Sequence, residues 1–387
     1  MIDIASSEKS GDVLGITILD VGHGNSAVIR DGKKCAVIDA APGNVVPDEL
    51  DRVECEHIEH LIISHSDRDH SGGGPGLILD DARTVGTVWF NPDGLKQTDI
   101  WERLLRAVYT RQRRGGLDSH QMIHTETGQT IRCGRARLEV RHPSILMAGS
   151  GPTTHTSAFG RLETNTLSVV IRVHLSDQPV ALLAADMDGK ALEHIQENGH
   201  ELAAPVLVFP HHGGLPGNAD PQEFASTLAA LVKPELVIFS IKSVQRPANP
   251  NPRILSGVKA AVPGAHIACT QLSVHCHEQD TPAPSLHLAP RPAAGRKDGR
   301  CCAGTITITK TSNGLVYEPR LADHKSFVSS FVNTPLCGIE TSLSEQRPAA
   351  ESLPISGLLL IPATQSLIES TFPQARERPA LVPPGCE

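Results

Sequence analysis

Apolar runs recur along the first two thirds of the chain, and most of them end in a turn that contains glycine. Continuous apolar runs, rather than alternating ones, are typical of strands buried on both faces, and ligand sites in such folds gather on loops at strand ends. The predicted strands lie in "GITILDVGHGNSAVIR", "KKCAVIDAAPG", "HIEHLIISH", "TVGTVWFNPDG", "ARLEVRHPS", "TLSVVIRVHL", "PVALLAADMDG", "APVLVFPHHGG" and "PELVIFSIKS".

Three segments between these runs have helical character. Residues 98–114 carry apolar side chains at helical spacing, with Trp101, Leu104, Leu105 and Val108 on one face. Two further helices are predicted near 189–198 and 221–232. The other face of the first helix is rich in arginine, which favours a solvated surface and leaves a phosphate-binding patch open; these residues are Arg103, Arg106, Arg111, Arg113 and Arg114.

The alternation of strands and helices predicts an α/β fold. We expect residues 1–320 to form one domain with its core at about 15–275. Beyond about 278 the sequence "TPAPSLHLAPRPAAGRKDGR" predicts a surface loop, which is followed by the strand-like "AGTITITKT". Residues 321–387, rich in Pro, Ser and Glu from about 340 onward, are expected to be a loosely ordered C-terminal extension.

Charge and composition narrow the possible functions. The net charge of −8 argues against a globally basic nucleic-acid binder, although a local basic patch stays possible. The N-terminus lacks the cationic start and apolar core of a signal peptide, and no stretch approaches the roughly 18 apolar residues of a membrane span. We therefore expect a cytoplasmic protein with no membrane partner. Its nine cysteines fit reduced thiols or metal ligands better than a disulfide framework.

Four metal-ligand side chains crowd into the six residues "HSDRDH" at the end of one apolar run: His65, Asp67, Asp69 and His70. Imidazole and carboxylate together suit zinc, manganese or iron, whereas an all-oxygen set would indicate calcium or magnesium. Two other strands also end in such side chains, because Asp186 follows "ALLAA" and the His211–His212 pair follows "VLVFP".

In order and spacing these segments resemble the metallo-β-lactamase fold superfamily, and in detail its competence-protein branch, the hydrolase domain of ComEC. The resemblance spans about residues 15–275. It implies a four-layer αβ/βα sandwich with a metal site along one edge of the two sheets. It rests on "LDVGHGNSAVI" at 19–29, "VIDAAPG" at 37–43, "SHSDRDHSGG" at 64–73, "ETNTLSVVI" at 163–171, "LLAADM" at 182–187 and "VFPHHGG" at 208–214.

The resemblance also implies a ligand set for one or two ions, most simply Zn²⁺ with Mn²⁺ as an alternative. His65 and Asp67 would face one ion, Asp69 and His70 the other, with Asp186 bridging. His211 would complete the second site, with His212 as the alternative, and Asp20 would hold the loop by hydrogen bonds.

Two departures from the family pattern bear on this ligand set. The wider family has histidine at the position of Asp67, and Asn165 stands where the third histidine of the first site is expected. The first metal is therefore expected to bind weakly, or only with substrate. Upstream, His142 and His155 are expected at the surface.

The function implied is metal-assisted hydrolysis, in which the cation lowers the pKa of the attacking water. Asp69 would orient or deprotonate that water, and a histidine of the pair, His212 in particular, would stabilise the developing charge. A phosphodiester is the leading substrate, either DNA or a nucleotide. A non-catalytic metal-binding scaffold and a thioesterase or lactonase of the same fold are the alternatives.

A second cluster of possible ligands lies in "ACTQLSVHCH" and "GRCCAGT". Cys269, Cys276, Cys301 and Cys302 could hold a structural zinc, but the spacing lacks the usual C-x-x-C pairs. Free thiols packed in the core are the favoured interpretation, because cysteine is among the most buried residue types.

Overall fold

The computed structural model of the chain describes residues 13–93, 96–126, 131–244, 246–277 and 281–338. Two large sheets carry the fold. In sheet order, the first consists of β17 (Gly314–Glu318), β16 (Ile306–Thr311), β1 (Leu14–Ile18), β2 (Ala27–Asp31), β3 (Lys34–Ile38), β4 (His57–Ile62), β5 (Thr84–Trp89) and β6 (Asp118–His120).

The second sheet is built mainly from the middle of the chain. In sheet order it consists of β15 (His266–Cys269), β14 (Leu236–Phe239), β13 (Val206–Val208), β12 (Gln178–Leu183), β11 (Val170–Leu175), β8 (Ala136–His142) and β7 (Ile131–Cys133). A separate two-stranded ribbon pairs β9 (His155–Thr156) with β10 (Gly160–Arg161).

Helices connect the strands and cover the sheets. They are α1 (Val45–Arg52), α2 (Arg68–Ser71), α3 (Gly74–Leu79), α4 (Asp99–Arg114), α5 (Ile145–Ser150), α6 (Gly189–Glu197), α7 (Pro221–Val232), α8 (Pro252–Ala261) and α9 (Leu321–Phe331), with 3₁₀ turns at Asn165–Leu167 and Pro210–Gly213. No helix among the described residues has the length and apolar character needed to cross a membrane.

Three apolar clusters produce the four layers. The central cluster joins the facing sides of the two sheets, for example Ile16 and Ile29 of the first with Val173 of the second. Helices α1 and α4 cover the outer face of the first sheet, and α6, α7 and α8 cover that of the second. The predicted four-layer αβ/βα sandwich is therefore confirmed, and each sheet is buried on both faces as the continuous apolar runs require.

The parallel strands direct their carboxyl ends to the places where the ligand-rich loops begin. Strands β3, β4, β5 and β6 run parallel in the first sheet, and β12, β13, β14 and β15 run parallel in the second. In such sheets ligands bind beyond the carboxyl ends of the strands. The loops after β4, β12 and β13 carry the three predicted groups of ligands.

Several local predictions are confirmed and others are wrong. The arginine-rich helix begins after the N-cap Thr98, whose hydroxyl accepts a hydrogen bond from the Trp101 amide, and ends at Arg114. Leu105, expected on its buried face, is exposed. The first predicted strand segment, "GITILDVGHGNSAVIR", forms two strands, β1 and β2, because the glycine-rich turn at 22–24 reverses the chain.

The C-terminal part of the fold extends beyond the expected core of 15–275. Strand β16 pairs with β1 and therefore adds to the first sheet. Within 321–338, helix α9 buries Phe327 and Val328 against Leu272 and Cys302, so this part of the expected extension packs against the domain. Residues 339–387 lie outside the described residues, and the boundary at 320 stays a prediction.

Candidate metal centre

Six histidine and aspartate side chains form two adjacent groups where the two sheets meet. We call His65, His70 and Asp186 the buried triad, and His23, Asp69 and His212 the open triad. Within each triad the possible ligand atoms all lie within 4.8 Å of one another. The groups are neighbours, because His212 Nε2 lies 3.7 Å from Asp186 Oδ1 and His70 Nε2 lies 4.0 Å from Asp69 Oδ2.

Asp39 and Ser64 orient the histidines of the buried triad. Asp39 Oδ2 accepts hydrogen bonds from Nδ1 of His70 (2.7 Å) and from Oγ of Ser64 (2.8 Å), and its Oδ1 accepts from the Ser64 amide (2.7 Å). Ser64 Oγ in turn lies 3.0 Å from His65 Nδ1. With both Nδ1 atoms engaged, each histidine directs its Nε2 into the triad, which is the usual outer support of a metal ligand.

The buried triad has polar atoms that the protein leaves without hydrogen-bond partners. Among the described residues, Nε2 of His65, Nε2 of His70 and Oδ1 of Asp186 are buried and make no hydrogen bond of acceptable geometry, although His70 Nε2 and Asp186 Oδ1 lie 3.1 Å apart as an ion pair. Buried polar atoms without partners are rare in folded proteins because each costs about 1–3 kcal/mol. Two imidazoles and a carboxylate aimed at one point fit a transition-metal ion such as Zn²⁺.

The electrostatics of the buried triad favour a cation. Burial alone would raise the pKa of Asp186, but the charges of His70 and His212 hold it well below its usual value. Burial likewise opposes the charged form of His70, but Asp186 and Asp39 raise its pKa well above the usual range. Burial lowers the pKa of His65 to about 4, so that its ring is neutral at pH 7. A metal ion would take the place of the His70 proton between the carboxylates.

The open triad faces solvent. His212 donates from Nδ1 to the Ser240 carbonyl (2.9 Å), which directs its Nε2 toward Asp69 Oδ2 at 3.2 Å. His23 Nε2 lies 3.1 Å from the same oxygen, and its side chain is 45% exposed. Burial opposes ionisation of Asp69, but the hydrogen bond from His212 and the charges of His70 and His212 lower its pKa far below the usual value. Asp69 is therefore a carboxylate at neutral pH.

The two histidines after β13 lie on different sides of Asp186. His212 belongs to the open triad, whereas His211 Nδ1 lies 2.9 Å from Asp186 Oδ2 and 3.5 Å from the Asn165 side-chain nitrogen. Both histidines have positive φ angles, 53° and 56°, in the left-handed region. Non-glycine residues rarely adopt this conformation, and it concentrates at functional sites.

Asp67 lies beside the buried triad but belongs to neither group. Its Oδ2 lies 3.7 Å from His65 Nε2, but its Oδ1 is hydrogen-bonded to the ammonium of Lys96. This ion pair holds the carboxylate at the rim of the site. It also reduces the negative charge that the Asp67 position would otherwise bring to the first site.

The structure brings most of the predicted ligands together. His65 and His70 lie in the buried triad with ring centroids 4.1 Å apart, and their assignment to two different ions stays a prediction. His212, rather than the preferred His211, lies beside Asp69, because the hydrogen bond to Ser240 fixes its ring.

Three residues around the site were not recognised from the sequence, namely His23, Asp39 and Lys96. The first two lie in segments that carry the family resemblance. Asp39 directly follows β3, and a polar residue at that position is the signal that could have indicated it, whereas His23 lies in the glycine-rich turn between β1 and β2. No feature of the sequence around Lys96 indicates a role for this residue in the site.

Asp20 has the outer role that the resemblance implies. Its carboxylate accepts hydrogen bonds from the Gly22 amide (3.1 Å), the Gln271 side chain (2.8 Å) and the Gly295 amide (3.0 Å). It thereby ties together three loops near the open triad and contacts neither triad itself.

His142 was expected at the surface, and that prediction is wrong. Its side chain is fully buried, and Nε2 donates to the Thr166 carbonyl at 2.7 Å, next to Asn165. His155 is exposed, as expected. His142 therefore supports the turn that places Asn165 beside His211.

The cysteines do not assemble as the four-ligand zinc site would require. Cys301 Sγ lies 3.4 Å from Asp20 Oδ2, whereas Cys269, Cys276 and Cys302 line an apolar pocket together with Cys337. Burial raises the pKa of Cys276 to about 11 and raises those of Cys269 and Cys302 well above the usual value. These properties favour protonated thiols packed in the core.

Comparison with known proteins gives similarities at two levels. The family model of the metallo-beta-lactamase superfamily matches residues 19–89. No curated protein sequence matches the chain significantly.

Solved structures resemble the chain at low identity. Igni18, a novel metallo hydrolase from the hyperthermophilic archaeon Ignicoccus hospitalis KIN4/I, is 14% identical with a TM-score of 0.40, covering 66% of this chain and 94% of its own. The metallo-beta-lactamase fold protein YhfI from Bacillus subtilis is 12% identical with a TM-score of 0.41, covering 66% and 96%. Human tRNase Z, short form, is 14% identical with a TM-score of 0.35, covering 58% and 92%.

At these identities no activity or substrate transfers from those proteins to this chain. The family-model match includes the turn with His23, the strand end with Asp39 and the loop from His65 to His70. It thus supports the metallo-β-lactamase superfamily part of the resemblance, while the competence-protein branch stays a prediction.

Proposed function

We propose that the protein is a metal-dependent hydrolase that acts on phosphodiesters. The observation that carries the proposal is the buried triad, in which three buried polar atoms of His65, His70 and Asp186 converge without hydrogen-bond partners among the described residues. Stability alone would not favour this arrangement, because apolar residues would cost less at the same positions. A divalent cation would satisfy all three atoms at once.

The buried triad is proposed to hold the first ion. His211, beside Asp186 Oδ2, is proposed to supply the ligand of the third histidine that this chain lacks. The open triad is proposed to hold the second ion, with Asp69 and His212 as its more buried members. Cations bound there would polarise both the attacking water and the phosphoryl oxygen of the substrate.

The residues of the open triad would position the reacting groups. Asp69, ionised and fixed by two imidazoles, would accept a hydrogen bond from the attacking water and orient it. His212, whose Nδ1 is held by the Ser240 carbonyl, would act on the charge that develops on the phosphoryl group through the ion that its Nε2 would hold. His23, the most exposed member of the open triad, would complete the ligand set of the second ion.

Phosphodiester chemistry is favoured over acyl transfer by the resemblance to the competence-protein branch and by the cationic residues beside the open triad. Arg68 and Lys242 line the cavity into which His23 and Asp69 project. Positive charge stabilises an anionic phosphodiester but would contribute little to binding a neutral thioester or lactone.

The test combines metal content with cleavage in the same preparations. Wild type, Asp69→Ala/His70→Ala and the control His155→Ala are analysed for bound metal and assayed on bis(p-nitrophenyl) phosphate, single-stranded DNA, duplex DNA, cyclic dinucleotides and an acyl thioester. We expect wild type and the control to bind metal and to cleave a phosphodiester, and the double variant to lose both properties.

Three results would contradict the proposal. Cleavage that survives in the metal-free double variant would place the activity elsewhere. Turnover of the thioester alone would indicate the acyl-hydrolase alternative, and metal binding without turnover of any substrate would indicate the scaffold.

A further inference from the structure

An open cavity of about 720 Å³ adjoins the open triad. His23 and Asp69 lie in its lining, so the cavity leads directly to the proposed catalytic groups. Ligand cavities in proteins usually measure about 300–1,000 Å³. This volume is sufficient for a nucleotide-sized molecule in addition to the group that the triads would hold.

The walls of the cavity are fixed by a buried hydrogen-bond network. Asp20 joins the turn at Gly22 to the loop at Gly295, and it accepts a further hydrogen bond from Gln271 Nε2. Gln271 Oε1 in turn accepts from the Ser243 amide at 2.9 Å, which holds the loop that carries Lys242. Asp20 and Gln271 are both buried, so this network positions three separate loops around one space.

Positive side chains predominate on these walls. Among the described residues that line the cavity, Arg68, Lys242 and Arg300 are cationic, and Asp69 and Asp298 are acidic. The side chains of Arg68 and Lys242 are exposed, and neither side chain makes a hydrogen bond or ion pair within the part of the chain that the structure describes. A local excess of positive charge in a chain of net charge −8 favours an anionic ligand at this place.

We infer that this wall binds a second phosphate group of the substrate, distinct from the phosphodiester that the triads would cleave. The inference rests on the proposed function and deepens it, because it assigns the substrate to nucleotide-sized phosphodiesters that carry an additional phosphate. Guanidinium and ammonium groups are the usual phosphate-binding groups in proteins. Lys242 extends from a loop that the Asp20 network holds in place.

The experiment measures binding with ligands that cannot be cleaved. Dinucleotides whose internal phosphodiester is replaced by a neutral methylphosphonate are prepared with a 5′-phosphate, with a 3′-phosphate or with neither. Their dissociation constants are measured by isothermal titration calorimetry with the metal-loaded protein. We expect at least one terminal phosphate to tighten binding by about tenfold, as one charge-assisted contact allows.

Variants of Lys242 test the assignment of the wall. Lys242→Gln should remove most of the advantage of the terminal phosphate, and Lys242→Arg should retain it. Lys33→Gln, which changes an exposed lysine in the β2–β3 turn, is the matched control and should behave as wild type.

The inference is overturned if neither terminal phosphate improves binding to wild type, or if Lys242→Gln keeps the full advantage. Because the ligands contain no cleavable bond, this outcome is independent of whether the protein hydrolyses natural dinucleotides. Failure of the proposed function would appear instead as an absence of cleavage with the phosphate-dependent binding intact.

Discussion

The two triads use the same kinds of side chain in opposite surroundings. In the buried triad His65, His70 and Asp186 are almost completely shielded from solvent, and a second layer formed by Asp39 and Ser64 holds both imidazoles. The open triad has one half-exposed histidine, one partly exposed aspartate and only one buried member, His212.

This difference in solvent exposure indicates that the two triads would bind metal ions with different affinities. Ligands that are buried and held from behind lose little freedom on binding a cation, so the buried triad is suited to retaining an ion tightly. Exposed ligands bind more weakly but allow a substrate to approach. We therefore expect one tightly bound ion in the buried triad and a second, exchangeable ion at the open triad.

The largest effect is expected for Asp186→Asn, because Asp186 lies beside histidines of both triads. Its Oδ1 is 3.1 Å from His70 Nε2 and 3.7 Å from His212 Nε2. Loss of a buried charge partner costs about 3–5 kcal/mol, so metal affinity should fall at least about 100-fold at both positions. Competition with a chromophoric chelator measures this.

Asp188→Asn is the matched control for this variant, since Asp188 caps α6 two residues further on without belonging to either triad. It should keep wild-type metal affinity. Equal losses in the two variants would show that the effect is structural and that Asp186 is no ligand.

A smaller effect is expected for Asp39→Asn, which changes only the support of the buried triad. The amide would accept a weaker hydrogen bond from His70 Nδ1 than the carboxylate, which accepts it at 2.7 Å. Changes of this kind typically cost 10–100-fold in metal affinity, so we expect about that loss for the tight ion. An unchanged affinity for the tightly bound ion would show that Asp39 does not support the ligands of the buried triad.

His23→Gln should separate the triads. His23 contacts Asp69 and belongs to the open triad alone, so its loss should weaken the exchangeable ion by about tenfold while the tight ion is retained. Metal stoichiometry as a function of free Zn²⁺ measures both ions in one titration. If the tight ion is lost first, the proposed order of affinities is reversed. His155→Gln provides an exposed histidine control.

The remaining prediction concerns stability and pH, rather than metal affinity, on the buried side of the site. Burial lowers the pKa of His142 to about 4 in the folded protein, compared with about 6.5 in an unfolded chain. Between these values the unfolded chain binds the proton and the folded protein does not, so acidification favours unfolding. The contribution of His142 to stability is complete above about pH 6.5 and is lost toward pH 4, by about 1.4 kcal/mol per pH unit.

Urea unfolding of wild type and His142→Gln at several pH values between 7 and 5 tests this prediction. The variant should be less stable at pH 7 but should lose less stability on acidification. Parallel pH profiles for the two proteins would mean that His142 is not buried in its neutral form.

The strands and the general location of the site could be predicted from local sequence, and the four-layer arrangement from the family resemblance. Apolar runs that end in His65, Asp186 and His211 indicated strands buried on both faces with ligands at their ends. The structure shows that these strands pair in parallel, and the carboxyl ends of parallel strands meet at one edge. The structure places these residues together for that reason.

The finer arrangement depends on features that local sequence does not encode. Which histidine of the His211–His212 pair turns toward Asp69 follows from two consecutive left-handed residues and from the Ser240 carbonyl of another strand. The roles of Asp39 and His23 likewise depend on partners distant in sequence, at His70 and Asp69. Burial of His142 depends on its contact with Thr166, which lies on a different loop.

The most direct test of the central claim is a crystal structure of the metal-loaded protein with anomalous diffraction data collected at the zinc edge. The account predicts an anomalous peak about 2.0–2.2 Å from the ligand atoms of His65, His70 and Asp186, with a weaker peak at the open triad. The account would be contradicted if the metal-loaded protein showed no anomalous peak between the buried histidines and a peak elsewhere, for example among Cys269, Cys276 and Cys302.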